Sequence, residues 1–308
     1  MIAFVLSGGG NRGALQAGAL QALFAHGIRP DLIVGTSAGA LNGAYIALFP
    51  SLEGADRLAD IWRATRQKDA FPGNIFTMAW RFVIGKDSLF DDKALRRYVE
   101  TCLPPDRTTF GDVSVPLYVT GANINTNTLY LFGEDPTAKL VDAIVISSAV
   151  PPELPPVEMN GYQYLDGGLA RMVPIEVALE KGATEIYAIN VCYAGDPQPA
   201  VHGIWNVVQR CITTILYQQL VDDLEEAAAA GDALDLHHIP IRAFCDLPIT
   251  DFDHMAEMVE EGRRITEDYL AHPQPTTQGM VHAQALEVTS APPPPGARVY
   301  IPRKYRKQ

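Results

Sequence analysis

The sequence is poor in cysteine, in positive charge and in long apolar runs. It contains four cysteines in 308 residues, and acidic residues outnumber basic ones by 36 to 24, which gives a net charge of −12. This excess of negative charge argues against general nucleic-acid binding. The cysteines are far apart and fit no metal-binding spacing, so we expect no metal site and reduced core cysteines in an intracellular protein. They are Cys102, Cys192, Cys211 and Cys245.

No run of apolar residues is long enough to span a membrane. The apolar stretch at residues 2–6 is too short for the hydrophobic region of a signal peptide, and no basic segment precedes it. The sequence therefore predicts a cytoplasmic protein whose contact with a membrane or micelle is at most peripheral and transient. A short basic run near the C-terminus is interpreted as a solvated tail rather than a membrane-binding patch. It consists of Arg303, Lys304, Arg306 and Lys307.

The first part of the chain alternates between strands and helices. Residues 2–6 and 31–34 form short apolar runs typical of buried parallel strands. A helix after the first run ends near Gly27, and a helix at residues 38–49 is stopped by Pro50. Two strand–helix units so close together predict a three-layer α/β/α fold with a mostly parallel central sheet.

The rest of the chain continues this pattern to about residue 272, and we expect one catalytic domain over residues 1–272. Helices are predicted at 139–148, 175–181, 204–229 and 252–271, and strands at 117–121, 128–132, 157–165 (a hairpin turning at Asn160 and Gly161), 186–191 and 239–244. Residues 273–308, with four consecutive prolines, are expected to form a weakly ordered tail or a strap against the body.

Two apolar segments allow more than one interpretation. Residues 69–90 are rich in large apolar side chains without a clear period, and they suit either ordinary core packing or a mobile cap over a lipid site. The apolar residues of the helix at 204–229 are interpreted as a core-facing stripe rather than an oligomer contact, although the oligomeric state stays open. They are Ile204, Val207, Val208, Cys211, Ile215 and Tyr217.

A glycine-rich loop follows the first strand and precedes a helix. Such a loop points backbone N–H groups into one space and suits a phosphate or an oxyanion. Its spacing also fits the dinucleotide fingerprint, but the second strand ends without the acidic residue that would bind a ribose, and no phosphate-loop lysine is present. A cofactor loop and a purely structural turn are therefore the weaker alternatives. The loop consists of Gly8, Gly9, Gly10, Asn11, Arg12 and Gly13.

The second strand opens into a G-x-S-x-G motif formed by Gly35, Ser37 and Gly39. This motif places a serine on a sharp turn between a strand and a helix, where its hydroxyl is exposed for nucleophilic attack. A plain helix N-cap is the alternative role for Ser37. The elbow follows the second strand, whereas in α/β-hydrolases it usually follows several strands, so we expect a different topology.

A third motif, Asp166-Gly167-Gly168, follows the second strand of the predicted hairpin. The two glycines would let the Asp166 carboxylate lie close to another loop, where it would act as a base. An Asp-Gly pair is also an ordinary turn. The functional interpretation depends on the two partner motifs.

The three motifs, in this order, resemble the patatin-like phospholipase family, and residues 147–152 and 169–174 agree with that resemblance. The similarity extends over about residues 1–195. It implies a Ser37–Asp166 dyad that hydrolyses lipid esters through an acyl-enzyme and needs no cofactor. The N–H groups of Gly9, Gly10 and Asn11 would form the oxyanion hole, with Arg12 supporting the loop.

Two other functions remain open at this point. A later histidine could complete a Ser-Asp-His triad in a general carboxylesterase, because triads are defined by geometry rather than by spacing. The fold could also serve as a non-catalytic ligand-binding domain. The expected partner in the first two cases is a lipid or another ester substrate.

Overall fold

The computed structural model describes residues 1–73, 75–191 and 200–273, and within them one mixed sheet lies between two layers of helices. The strands are β1 (Ile2–Leu6), β2 (Leu32–Gly35), β3 (Leu117–Asn123), β4 (Thr128–Phe132), β5 (Val157–Met159), β6 (Tyr162–Asp166), β7 (Glu185–Val191) and β8 (Asp235–Ile241). The helices are α1 (Gly13–Ala25), α2 (Ala38–Leu48), α3 (Leu52–Ala64), α4 (Gln67–Ala70), α5 (Ile75–Val83), α6 (Asp92–Cys102), α7 (Leu140–Ser147), α8 (Ile175–Glu180), α9 (Ile204–Ala229) and α10 (Met255–Ala271).

The parallel part of the sheet has the order β3-β2-β1-β7-β8. Successive side chains of β1 and β2 enter opposite cores, as the period of a strand requires. Phe4 and Ile33 belong to the core that includes α1, α2, α3 and α10. Val5 and Val34 belong to the core that includes α8 and α9. These two cores confirm the predicted three-layer α/β/α fold with a mostly parallel sheet.

The antiparallel part of the sheet brings two strand ends together. β4 pairs with β3 along residues 119–123 and occupies one edge of that strand. The other edge of β3 pairs first with β2, up to Gly35, and then with β6, from Asp166. Because β2 is parallel to β3 and β6 is antiparallel to it, β2 and β6 run toward each other. Their carboxyl ends therefore meet on the same edge of β3.

The hairpin that supplies β6 turns where the sequence predicts. Asn160 and Gly161 both have positive φ, 53° and 79°, as a two-residue hairpin turn requires. The turn joins β5 to β6 in antiparallel register. The Asp-Gly-Gly motif thus begins at the last residue of a paired strand.

The prediction for α9 is wrong about its orientation. Its core-facing residues are Leu216, Leu220, Leu224 and Ala227, which pack with α8 and the sheet. The predicted stripe instead lies largely on the outside, with Ile204 88% exposed and Val207, Val208, Cys211 and Ile215 also exposed. The sequence has two apolar faces on this helix, and periodicity alone selected the wrong one. No helix among the described residues has the length and apolar character needed to cross a membrane.

Three further expectations need correction or lie outside the described chain. β8 begins before His237 and His238, so these residues lie within the strand and not ahead of it. The expectation of reduced core cysteines is wrong, because Cys211 is exposed and Cys245 is disulfide-bonded. Cys102 is buried and reduced, and burial raises the pKa of its thiol to about 11. Cys192 and residues 274–308 lie outside the described residues.

Helices α1 and α10 pack backbone to backbone through two glycines. A Cβ on Gly18 would lie 1.9 Å from the Val259 carbonyl oxygen, and one on Gly262 would lie 2.0 Å from the Leu15 carbonyl oxygen. In both cases the added Cβ would meet backbone atoms, which cannot move aside as the end of a flexible side chain could. α1 follows the glycine loop directly, so this packing fixes the helix that begins at the site.

We predict that Gly262→Ala lowers the free energy of unfolding by about 2 kcal/mol, because the helices must separate to admit a methyl group. In an open helix the same change would raise stability by about 1 kcal/mol, so the sign of the effect is diagnostic. Urea unfolding measures it, with Glu257→Ala on the exposed side of α10 as the control. A Gly262→Ala protein as stable as the parent would contradict the close packing.

Candidate active site

Ser37 lies at the turn between β2 and α2 in a strained backbone conformation. Its φ of 55° and ψ of −121° fall in a region that L-residues rarely adopt, which costs on the order of 1–3 kcal/mol. The Ser37 N–H donates a hydrogen bond of 2.8 Å to the Ser147 hydroxyl. The Ser37 side chain makes no capping hydrogen bond to α2, so the N-cap alternative is wrong.

The two glycines of the G-x-S-x-G motif are required by close contacts between backbones. A Cβ on Gly35 would lie 2.4 Å from the Gly39 carbonyl oxygen. A Cβ on Gly39 would lie 2.3 Å from the Leu6 carbonyl oxygen. Because of these contacts, the start of α2 packs directly against the end of β1. The Ser37 side chain lies at the N-terminus of α2, where partial positive charge favours an anion.

Asp166, the last residue of β6, lies beside Ser37 and is almost fully buried. Its carboxylate accepts a hydrogen bond of 2.7 Å from the Gly168 N–H, and the Ser37 hydroxyl lies close enough to lower its pKa. Burial raises the pKa of Asp166 to about 7, against the smaller lowering effects of the Ser37 hydroxyl and the Gly168 N–H. A carboxyl group that ionises near neutral pH has the property a general base needs.

The glycine loop presents two N–H groups next to Ser37. The Gly8 N–H donates to the Met172 carbonyl at 3.2 Å, and the Asn11 N–H donates to the Ile249 carbonyl at 3.3 Å. By contrast, the N–H groups of Gly9 and Gly10 have no acceptor among the residues that the structure describes. Both glycines line the same cavity as Ser37. Of the predicted donors, the Gly9 and Gly10 N–H groups are therefore those without an acceptor in the described part of the chain.

The side chains of Asn11 and Arg12 bind a segment that sequence reasoning missed. Asn11 Nδ2 donates to the carbonyls of Pro248 and Asp251. Arg12 Nη2 donates to the carbonyls of Cys245 and Leu247 at 3.1 and 2.7 Å. The segment at residues 244–252 is thereby tied to the glycine loop. Because backbone carbonyls occur at every residue, no sequence signal marks these acceptors.

A buried polar network connects the glycine loop to the helices behind it. Trp62 Nε1 donates to Asn42 Oδ1 at 2.7 Å, and Asn42 Nδ2 donates to Gly13 O and to Gln16 Oε1, both at 2.9 Å. Gln16 in turn donates to the Ser7 carbonyl at 2.7 Å. This network joins α1, α2 and α3 to the loop. It also escaped prediction, since its members are scattered over 55 positions of the chain.

Ser37 and Asp166 open into a large cavity of about 910 Å³. The wall is mainly apolar and comes from α2 to α7, α9 and the segment at 244–252. It includes Leu41, Trp62, Phe71, Val99, Ile144 and Phe252. Glu153 is a buried acidic residue in this wall, and burial raises its pKa. Such a cavity suits an extended apolar ligand with a polar group at one end.

Histidine is absent from the cavity wall formed by the described residues. His238 is fully buried in β8 beside the Asn190 side chain, and burial lowers its pKa to about 4. His237 stacks on Tyr187, and His202 and His272 are exposed. His282 lies outside the described residues. Among the described residues, no three His, Cys, Asp or Glu side chains are grouped as a metal site requires.

Comparisons with known proteins agree with this arrangement. The sequence profile of a family described as "Patatin-like phospholipase" matches residues 4–179. The chain is 28% identical over 210 residues to Lysophospholipase NTE1 of Scheffersomyces stipitis, and 28% identical over 222 residues to Lysophospholipase NTE1 of Saccharomyces cerevisiae. These alignments cover 66% and 68% of this chain but only 12% of each relative.

A solved structure with a distant likeness is VipD from Legionella pneumophila. Its identity to this chain is 16% and its TM-score is 0.49, with 87% of this chain and 66% of that chain covered. This likeness is too distant to carry an argument about fold or function.

Burial of Asp166 has a consequence for stability that can be measured. Its pKa is raised on folding from 3.8 to about 7, so between these values the folded protein binds more protons than the unfolded chain. Protonated Asp166 therefore contributes to the stability of the folded protein. This contribution is complete below pH 3.8 and is lost as the pH rises through 7.

We therefore predict that Asp166→Asn stabilises the protein increasingly as the pH rises from about 4 to 7, reaching roughly 3–4 kcal/mol above neutrality. Urea unfolding of both proteins across this range measures the effect. Asp106→Asn on the exposed surface controls for the loss of one acidic residue. A stability difference that does not change with pH would contradict the buried, raised-pKa carboxyl.

Proposed function

The chain belongs to the patatin-like phospholipase family, and on that basis we propose that it is a serine hydrolase of lipid esters with Ser37 as nucleophile and Asp166 as base. The observation that carries this proposal is the position of the Ser37 hydroxyl beside a buried carboxylate of raised pKa. The apolar cavity in front of the pair would bind the acyl chain.

In the first chemical step, the Asp166 carboxylate accepts the proton of Ser37 as Oγ attacks the ester carbonyl carbon. The carbonyl π electrons move to oxygen, and a tetrahedral oxyanion forms. The strained backbone of Ser37 directs the hydroxyl away from the helix, and the N-terminus of α2 favours the negative charge that develops on Oγ.

The oxyanion would be stabilised by the N–H groups of Gly9 and Gly10. Each carries a hydrogen-bond donor that no protein acceptor in the described chain uses. Donors of this kind act on the charge that develops in the transition state, and loss of one costs about 10²–10³ in turnover. Asn11 and Arg12 position the loop through their bonds to the segment at 244–252.

Collapse of the tetrahedral species breaks the bond to the leaving alcohol, which takes the proton from Asp166. The product of this half-reaction is an acyl ester of Ser37. In the second half-reaction Asp166 takes a proton from water, the resulting hydroxide attacks the acyl carbonyl, and Ser37 recovers its proton as the fatty acid leaves.

The dyad is better supported than the two alternatives. A Ser-Asp-His triad requires a histidine in contact with the serine, and the histidines of the described residues lie outside the cavity wall. A non-catalytic binding domain would not need a strained serine in contact with a raised-pKa carboxylate, because backbone strain is retained where function requires it.

For the substrate we propose a phospholipid or lysophospholipid. The large apolar cavity supports this choice, and the similar proteins of Scheffersomyces stipitis and Saccharomyces cerevisiae are both named Lysophospholipase NTE1. The chain spans a small part of those relatives, so their whole activity is an expectation for this protein. We propose a peripheral association with lipid surfaces.

We predict that Ser37→Ala and Asp166→Ala each reduce hydrolysis of a chromogenic acyl ester by at least about 10³-fold, since each removes one half of the reacting pair. Single replacement of each histidine should leave most of the activity, whereas a triad enzyme would lose it with one of them. The assay should include phospholipid and lysophospholipid substrates. Substantial activity in either dyad variant would refute the mechanism.

A fluorophosphonate probe should form a covalent adduct with Ser37 of the purified protein. Ser148 also lines the cavity, so Ser148→Ala is a matched control that should still be labelled. Ser37→Ala should not be labelled, because it lacks the hydroxyl beside Asp166 that the proposed mechanism activates. A wild-type protein that resists the probe would favour the binding-domain alternative.

We also predict that kcat/KM rises with pH and levels off above an apparent pKa of about 7. The physical reason is that the ionised form of Asp166 is the base, so activity is lost as the pH falls and the carboxylate takes up a proton. Rates on a soluble ester between about pH 5 and 9, corrected for spontaneous hydrolysis, test this. A profile that is flat through neutrality would contradict the assignment.

A further inference from the structure

Exposed apolar side chains concentrate on α5 with the residue that follows it, and on the first half of α9. They are Phe76, Trp80, Phe82, Val83, Ile84, Ile204, Val207, Val208 and Ile215. Phe76 is 81% exposed and Phe82 is 80% exposed. Large apolar side chains scattered singly over a surface are ordinary, but a concentration of this size marks an interaction site.

This apolar surface is continuous with the wall of the cavity. Phe82 and Val83 are exposed and also line the cavity that contains Ser37. On α9, Ile212 and Leu216 line the cavity, while Ile215 on the adjacent face is exposed. The two helices therefore border the opening, and the apolar surface extends outward from it.

The same surface lacks the negative charge that dominates the rest of the chain. Residues 75–85 and 204–221 contain no aspartate or glutamate, although the chain has 36 acidic residues. Their charged residues are Arg81 and Arg210. The acidic residues of α9 are confined to its second half and begin at Asp222. The helix is thus divided into an acid-free half with exposed apolar residues and an acidic half.

We propose that α5 and the acid-free half of α9 form a docking face that inserts into the surface of a lipid bilayer or micelle. The inference rests on the proposed function, which it extends by naming how the substrate reaches Ser37. A helix with exposed apolar residues and few charges inserts its side chains at the boundary between head groups and acyl chains. Because the docking face adjoins the cavity, a lipid passes from the aggregate into the cavity without crossing water.

A lipid surface fits this face better than a protein partner does. A second copy of the chain, or another protein, seated on both helices would also cover the opening between them and block the cavity. A lipid aggregate covers the same residues while supplying the ligand. The absence of acidic residues from the face also avoids repulsion by lipid phosphates, which the net charge of −12 would otherwise cause.

The test uses the full chain in the Ser37→Ala background, so that lipids are not consumed. Trp80 and Val207 are 64% and 44% exposed and do not line the cavity. The double variant Trp80→Ser, Val207→Ser should bind phosphatidylcholine vesicles at least about tenfold more weakly in a flotation assay, because both side chains lose apolar burial. The matched control is Tyr162→Ser, Leu52→Ser, whose side chains are 47% and 40% exposed on other elements.

A second measurement separates docking from chemistry. With Ser37 intact, the Trp80→Ser, Val207→Ser protein should hydrolyse a water-soluble short-chain ester within about twofold of wild type, but vesicle phospholipid at least about tenfold more slowly. If wild type hydrolyses the soluble ester and does not bind vesicles, the docking face is refuted while the proposed function stands. If neither ester is hydrolysed although vesicles are bound, the proposed function fails and the docking face stands.

Two further outcomes would also overturn the docking face. One is equal vesicle binding by the docking-face variant and the matched control. The other is a wild-type protein that is a dimer and a docking-face variant that is a monomer, with equal vesicle binding by both. This result would assign the surface to contact between two copies of the chain. Analytical ultracentrifugation of both proteins without lipid supplies that measurement.

Discussion

The site depends on one constraint of the sheet, the meeting of β2 and β6 at their carboxyl ends. Both strands pair with the same edge of β3, β2 up to Gly35 and β6 from Asp166. Parallel strands alone cannot do this, because their carboxyl ends lie side by side. An antiparallel strand placed end-on to a parallel one brings Ser37 and Asp166 into contact, although 129 positions separate them in the chain.

Two of the features on which the proposed reactivity depends also oppose folding. Ser37 has a strained backbone. Asp166 has a buried carboxyl group, and burial makes its ionised form less favourable. Hydrogen bonds around the site offset these two unfavourable contributions to the free energy of folding. The Trp62–Asn42–Gln16 network holds the helices behind the glycine loop, and Arg12 fixes the segment in front of it. These two unfavourable contributions thus fall on the residues proposed as nucleophile and base.

The sequence predicted the layers of the fold and the three motifs, because glycines at strand ends and apolar runs are local signals. It did not predict the hydrogen-bond acceptors of Arg12 and Asn11. These acceptors are backbone carbonyls, which every residue has, so no residue type marks them. It assigned the wrong face of α9 to the core, because the apolar residues around Val207 share the helical period with those around Leu220. An exposed apolar face of a helix has the same sequence pattern as a buried one.

The hairpin turn at Asn160 and Gly161 lies far from Ser37 along β6, yet it sets the register of that strand. Side chains of a strand alternate between its two faces, so a slip of one residue would turn every side chain of β6 over. Asp166 would then point into the opposite layer, and Leu165 would take its place beside the serine. The identity of the proposed base is therefore encoded twice, once by the aspartate and once by the length of a two-residue turn.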